Sequence, residues 1–196
     1  IVFASRFTKQ TKAYKIFTIY LSWLIVVQLS ATVGKYYLES NLFLSHFYFI
    51  GQFILLSLFY LSLFKLHGQK KTIKLGLIIG LCVLGIQYYL EPSLFFKFNL
   101  LEIFITSFLI TIYAIIHLYN MLTDKKEFYF ITIGVLLYLV SSSILFLIGN
   151  LTIVLSPKWQ FLTWKINAFL VVIYQLVILY QWKYDFFNRK EVNSVL

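Results

Sequence analysis

The sequence predicts an all-α protein built as a polytopic bundle of transmembrane helices. The first observation is the composition: 61% of the 196 residues are hydrophobic and only 12% are charged, whereas soluble domains hold about 25% charged residues. The second is that apolar residues gather in runs close to the roughly 20 residues that a membrane-spanning helix needs. The third is that Lys and Arg concentrate between these runs, as membrane topology requires. A lipid bilayer is therefore the expected environment.

Each predicted helix is an apolar run that lies between two successive basic boundaries. In chain order these boundaries are the segment 6–15, Lys35, the segment 65–74, Lys97, the segment 120–127, Lys158 and the segment 183–196. The runs between them predict six complete spans, at 14–34, 43–64, 73–90, 98–119, 129–149 and 161–182. The apolar stub at 1–5 predicts the truncated end of an earlier span, which makes seven in total. No linker or repeat divides the chain, so a single domain, 1–196, is expected.

The distribution of basic residues predicts the orientation of the bundle. All Lys and Arg residues except Lys35, Lys97, Lys158 and Lys165 lie in the four basic segments. These segments alternate with the sparsely charged connections, and cytoplasmic loops are the ones that carry an excess of Lys and Arg. The pattern therefore places the basic segments and the C-terminus in the cytoplasm.

The composition and spacing also exclude several classes of function. The net charge of +10 follows from the loop lysines, so no nucleic-acid partner is expected. Cys82 is the only cysteine and the three histidines are predicted at different depths, so the sequence predicts no disulfide, no metal site and no haem or other cofactor. It also lacks a nucleophile elbow, a phosphate loop and an H-E-x-x-H motif. No catalytic residue is assigned, and enzymatic activity is not expected on this basis.

Small residues mark two candidate helix-packing positions. Gly76 and Gly80 form a G-x-x-x-G pattern in the third span, which lets another helix approach closely. Ser141 and Ser142 form a small polar patch in the fifth span. We interpret these residues as interhelical packing positions, since small residues are enriched at such interfaces.

The fourth span carries the most informative polar pattern. At about 100° per residue, one stripe of this helix is polar while the rest is nearly all Ile, Leu and Phe. Lipid cannot satisfy the hydrogen bonds of such a stripe, which is therefore expected to face protein or water. The stripe consists of Glu102, Thr106, Leu109, Tyr113, His117 and Asn120.

Polar residues of three other spans are predicted at the same outer depth as Glu102. They are Gln28, His46, Gln52, Lys165 and Asn167. Two interpretations remain open. In one, these residues and Glu102, Thr106 and Tyr113 line an outward-facing cavity that binds a small ligand. In the other, they form interhelical hydrogen bonds, with Glu102 protonated or paired to Lys165 or His46.

Three segments carry a resemblance to known proteins. They read NLFLSHFYFIGQFILLSLFYLSLFK (41–65), FNLLEIFITSFLITIYAIIHLYNML (98–122) and FYFITIGVLLYLVSSSILFLIGN (128–150). In their order of apolar runs, with N-x-x-E at the start of one helix, they resemble a group of uncharacterised multi-pass membrane proteins of Bacteroidota. Genes of that group often lie beside genes for two-component histidine kinases. The resemblance implies a seven-helix fold, a location in the inner membrane of a bacterium and a sensory context, and it implies no catalytic motif.

These observations favour a non-catalytic signalling component or an accessory subunit of a membrane complex. Its partners would be the lipid bilayer, other membrane protein subunits and a small ligand that the sequence does not identify. A transporter or channel for a small solute is the second hypothesis, although the spans lack proline and show no inverted repeat. A lipid-modifying enzyme is the third, in which Glu102 and His46 would act as acid or base at the membrane interface.

Overall fold

The structure is a computed structural model that describes residues 3–4, 7–8, 10–38, 40–152 and 157–194. Within these residues the chain is helical and contains no strand. A short 3-10 helix, η1, connects two of the α-helices. The elements are α1 (Lys12–Tyr37), α2 (Phe43–Leu63), α3 (His67–Leu90), η1 (Pro92–Phe96), α4 (Leu100–Asn120), α5 (Tyr129–Thr152) and α6 (Pro157–Ser194).

All six α-helices are long and apolar enough to cross a membrane. This finding confirms the predicted all-helical, multi-pass architecture and is compatible with a membrane-embedded protein. The additional span was predicted from the stub at 1–5, of which the structure describes only Phe3 and Ala4. Phe3 is buried and stacks on Tyr14 of α1, with ring centroids 5.0 Å apart. The stub's assignment as a helix end lies outside the described residues, and the seventh span stays a prediction.

Two helices extend well beyond the predicted spans. α3 begins at His67 rather than at 73, so the residues that the sequence analysis placed in a loop form its first turns. Lys70, Lys71 and Lys74 are good helix formers, and a helix can continue past the apolar core where its side chains reach water. α6 likewise extends to Ser194 rather than ending at 182.

The residues form two compact units, Phe3–Tyr113 and Ala114–Leu196, with the boundary inside α4. In the first unit α1 and α2 pack antiparallel over a mainly aromatic core. Phe17 contacts Phe59 (ring centroids 5.2 Å apart), and farther along the pair the Trp23 indole N–H donates to the backbone carbonyl of Phe47 (3.1 Å). Trp23 also lies against Gly51, where a Cβ atom would collide with its indole ring. Gly51 is therefore required by this close approach.

The third helix packs against side chains of α2 and α4. A Cβ atom at Gly80 would lie 3.0 Å from the Phe53 ring and 3.2 Å from Leu109, and a Cβ atom at Gly76 would collide with the Tyr113 hydroxyl. The G-x-x-x-G pattern thus makes room for large side chains, whereas the sequence analysis expected a close approach of helix backbones. These contacts also fix the directions: α3 runs antiparallel to α2 and α4.

In the second unit α5 and α6 pack along their length. The rings of Tyr138 and Tyr174 stack in parallel at 5.1 Å, and Gly134 leaves space for Tyr174. The buried Ser142 hydroxyl donates to the carbonyl of its own helix at Leu139 (3.2 Å), while Ser141 is half-buried. The serines therefore add small volume to the packing, and the hydrogen bond recorded for Ser142 stays within its own helix.

Candidate ligand-binding site

Three helix ends meet at one end of the first unit. His46 lies in the first turn of α2, Glu102 lies in the first turn of α4, and Tyr88 lies in the last turn of α3. The antiparallel course of α3 brings its C-terminal end beside the N-terminal ends of the other two helices. η1, which links α3 to α4, lies over the same end and contributes Phe95.

The start of α4 is fixed by a side-chain cap. The backbone N–H of Glu102 donates to Asn99 Oδ1 (3.3 Å), which satisfies one of the N–H groups that a helix N-terminus leaves without a partner. The Thr106 hydroxyl donates to the backbone carbonyl of Glu102 (2.8 Å). A carboxylate in the first turn also interacts favourably with the positive end of the helix dipole. Local sequence therefore prepares this position for a negative charge.

The centre of the site is a hydrogen-bonded cluster of His46, Tyr88 and Glu102. Nδ1 of His46 lies 2.9 Å from Glu102 Oε2 and 2.8 Å from the Tyr88 hydroxyl. The Tyr88 hydroxyl in turn donates to the same Oε2 atom. His46 is 2% exposed and Glu102 is 0% exposed. An isolated charge could not be buried to this extent, so the two donors on Oε2 account for the position of the carboxylate.

Two amides, Gln87 of α3 and Asn99 immediately before α4, extend the cluster. Asn99 Nδ2 donates to the Tyr88 hydroxyl oxygen (3.2 Å) and to Gln87 Oε1 (3.0 Å). Asn99 is buried, while Gln87 and Tyr88 are half-buried. The hydrogen bonds thus run from the buried carboxylate towards the surface of the unit through Tyr88, Asn99 and Gln87. Each step in this direction is more accessible than Glu102.

Two polar atoms of the cluster have no hydrogen-bond partner. They are Nε2 of His46 and Oε1 of Glu102, and both are buried. Leaving a buried polar group unsatisfied costs about 1–3 kcal/mol, and more for a charged group. Native structures rarely contain such atoms without a functional reason or a bound water or ligand. These atoms are the feature that distinguishes the cluster from ordinary interhelical hydrogen bonding.

Phe95 covers the cluster with an aromatic ring. Its ring stacks on the His46 imidazole at 5.4 Å and meets the Tyr88 ring edge-on at 6.1 Å. The same ring contacts Phe43 and Phe47 of α2, at 6.3 Å and 6.1 Å. Phe95 itself is half-buried. The cluster is therefore bordered by phenylalanine rings, and its polar atoms lie beneath an apolar cover.

The other predicted site residues of the first unit lie in different surroundings. Gln52 is buried, but its Nε2 donates to the Tyr20 hydroxyl (3.1 Å), which links α2 to α1. Tyr113 is buried with its hydroxyl against Gly76. Gln28 is exposed on the surface of α1. That Gln28 lines the same cavity stays a prediction.

Two predicted site residues, Lys165 and Asn167, belong to the second unit. Lys165 is exposed, and Asn167 is half-buried with an unpartnered Oδ1 atom. Of the two predicted partners for Glu102, the structure pairs the carboxylate with His46. His117, at the other end of the predicted stripe, is in contact with the backbone carbonyl of Glu127 (3.1 Å) and forms part of the second unit.

Sequence reasoning missed four residues of the site: Gln87, Tyr88, Phe95 and Asn99. One signal was available for Asn99, because Asn three residues before Glu is a typical helix N-terminus pattern. Tyr88 lies near the end of its span, where a tyrosine is expected to act as an interfacial anchor. The sequence pattern therefore gives no indication of its hydrogen bonds in the cluster. Phe95 is one of many phenylalanines, and the pattern has no feature that sets it apart.

Within the described residues, no group of three or more His, Cys, Asp or Glu side chains could hold a metal ion. The cluster joins an imidazole, a phenol and a carboxylate by hydrogen bonds, and these groups can exchange protons. A carboxylate on Nδ1 orients an imidazole and favours the tautomer with its proton on that atom.

No family model, no curated protein and no solved structure matches this chain.

Proposed function

We propose that the chain is a sensory component or accessory subunit of a bacterial inner-membrane complex, and that the His46–Tyr88–Glu102 cluster binds its ligand. The observation that carries the proposal is the pair of unpartnered buried atoms, His46 Nε2 and Glu102 Oε1. An ionisable residue inside a membrane-spanning helix is by default a candidate functional site. The resemblance to the Bacteroidota proteins supports the sensory context. A ligand at this cluster would act on three helix ends at once.

The proposal includes partner proteins, since a sensor without a catalytic constellation must pass its signal on. The test is purification in mild detergent from the source cell, with the mass of the particle measured by light scattering and its subunits identified by mass spectrometry. A stable complex of the 23.2 kDa chain with a second protein is expected for the wild type. Glu102→Gln should keep the partner and lose the response to ligand. A monomer that performs a reaction by itself would contradict the proposal.

The proposed orientation places the lysines at the start of α3 in the cytoplasm and Lys97 outside, following the excess of basic residues in cytoplasmic loops. It can be tested in a Cys82→Ser background with a single cysteine at Lys71 or at Lys97. Both side chains are exposed, so access to the reagent depends on the side of the membrane. A membrane-impermeant maleimide added to intact cells should label position 97 and leave position 71 unlabelled. Labelling in the reverse pattern would invert the proposed topology.

A lipid-modifying enzyme is the second candidate, and one observation favours it. Nδ1 of His46 faces the Glu102 carboxylate, while its Nε2 has no hydrogen-bond partner. A general base oriented by a carboxylate has this arrangement. The purified protein can be incubated with radiolabelled phospholipid in liposomes, and the products separated by chromatography. Turnover that disappears in His46→Gln would favour this activity over a sensory role.

A further inference from the structure

The two buried atoms without a hydrogen-bond partner, His46 Nε2 and Glu102 Oε1, define the kind of group that a ligand must present. Nδ1 of His46 faces Oε2 of Glu102, so the proton of the neutral imidazole lies on Nδ1 and Nε2 carries a lone pair. Glu102 Oε1 is also an acceptor when the carboxylate is ionised. With His46 neutral and Glu102 ionised, the cluster offers two buried acceptors and no unpartnered donor. A ligand that fits it brings a hydrogen-bond donor.

The cover over the cluster has few attachments of its own. η1 comprises five residues, Pro92–Phe96, and 3-10 helices have poorer hydrogen-bond geometry than α-helices. Its flanking side chains interact locally and at the surface: Lys97 donates to Ser93 (3.1 Å) and lies 3.9 Å from the carboxylate of Glu91. Exposed pairs of this kind contribute about 0–1 kcal/mol. The contacts of the Phe95 ring are the main inward attachment of the segment.

Resting on the proposed function, we infer that the ligand is a neutral, membrane-soluble phenol. Its hydroxyl donates to Oε1 of Glu102, and its ring takes the place of the Phe95 ring against the His46 imidazole. Phe95 shows that this imidazole accepts a stacked six-membered ring at 5.4 Å. Phe43 and Phe47, which border the same position, supply an apolar surface for the remaining body of the ligand.

A hydroxyl fits the site better than a charged amine. Oε2 of Glu102 already receives hydrogen bonds from His46 and Tyr88, which disperse part of the negative charge. Moving an ammonium group out of water costs far more than moving a hydroxyl, and Glu102 is 0% exposed. Of the two unpartnered acceptors, Glu102 Oε1 is stronger than His46 Nε2 when the carboxylate is ionised, because hydrogen bonds to ionised groups are roughly twice as strong as neutral ones.

The test measures the thermal stability of the purified protein in nanodiscs against the concentration of three probes. They share an alkylated ring and differ in the polar group: para-heptylphenol, heptylbenzene and para-heptylbenzylammonium. A ligand that binds only the folded state raises the melting temperature, and above the Kd this rise continues with the logarithm of the ligand concentration. We expect stabilisation of this form by the phenol alone. This readout needs no partner protein, so it can fail while partner binding in the complex remains intact, and the reverse also holds.

Three variants identify the site. Glu102→Met removes the acceptor and should weaken phenol binding about tenfold or more. Phe95→Ala removes the ring that the ligand displaces and should tighten binding about three- to tenfold. Phe96→Ala is the matched control, because this ring is on the same segment, is 67% exposed and contacts Phe95; it should leave the affinity unchanged.

Four results would overturn the inference: no concentration-dependent stabilisation by the phenol, an equal effect of heptylbenzene, stronger binding of the ammonium probe, or equal affinities of the Phe95→Ala and Phe96→Ala variants. The comparison of the two phenylalanine variants remains decisive if Glu102→Met does not fold.

Discussion

Removing one partner of the His46–Glu102 pair should destabilise the protein far more than removing both. His46→Leu leaves a carboxylate that is 0% exposed with a single remaining donor on Oε2, the Tyr88 hydroxyl. Breaking a buried pair in this way costs about 3–5 kcal/mol, and we expect the low end because Tyr88 stays. Glu102→Met leaves a neutral imidazole that has lost its acceptor, at about 1–3 kcal/mol.

The double variant, with two apolar side chains of similar size, should recover most of the loss. Replacing both members of a buried pair by apolar groups is often nearly neutral. With about 3 kcal/mol for His46→Leu, about 1–3 kcal/mol for Glu102→Met and about 1 kcal/mol left in the double variant, the coupling energy should be about 3–5 kcal/mol, at or above the upper end of the range found for residues in one hydrogen-bond network. The four proteins can be compared by unfolding in mixed detergent micelles, followed by circular dichroism and by tryptophan fluorescence.

The chain supplies its own control for this cycle. Lys97 and Glu91 lie 3.9 Å apart, but their side chains are 62% and 58% exposed. An exposed ion pair contributes about 0–1 kcal/mol. The double-mutant cycle of Lys97→Gln and Glu91→Gln should therefore give a coupling energy at the low end of this range. If the buried pair couples no more strongly than this exposed pair, the reasoning about the cluster is refuted.

Two further predictions concern packing and helix capping. Gly51→Ala should destabilise the first unit by about 1–3 kcal/mol, because a Cβ atom there collides with Trp23. Gly85→Ala is the control: its Cβ atom has open space around it, so the substitution should stabilise the unit by up to about 1 kcal/mol through helix propensity. Unfolding in detergent measures both, and equal effects would contradict the assigned contact. Gln181 is 1% exposed and accepts a hydrogen bond from the N-terminal backbone of α5 (2.9 Å), so Gln181→Ala should cost about 1–3 kcal/mol. The exposed Gln175 is its control; Gln175→Ala should lie within about 0.5 kcal/mol of wild type.

The spans could be predicted from sequence because the physical requirement is one-dimensional. A segment that crosses lipid must be apolar over a fixed length and must satisfy its own backbone hydrogen bonds. Helix ends outside that length are less constrained, which is why the start of α3 at His67 and the end of α6 were both placed too near the apolar core. There the helix is stabilised by propensity and by water, and hydropathy carries no information about either.

The site was predictable only in part. That a buried Glu102 has a partner follows from the rule that charges in apolar surroundings find partners, and the sequence analysis named His46 and Lys165 as the two candidates. Tyr88 and Phe95 could not be found in this way, because their contacts depend on how α3 ends and how η1 turns towards α4. The angular position of Gln28 was also uncertain, since a polar residue near a helix end can face water as well as protein.

The position of the cluster at helix ends explains how one ligand could influence the whole unit. In a helix interior a buried carboxylate would depend on side chains alone, but in the first turn of α4 the Asn99 cap and the helix dipole support it. The same carboxylate holds His46 at the start of α2 and Tyr88 at the end of α3. A donor that binds Oε1 competes for the electron density that these two hydrogen bonds use. Under the proposed function, ligand binding and the arrangement of the three helix ends are therefore linked, and by thermodynamic reciprocity a partner protein that shifts any of those ends would change the affinity for the ligand.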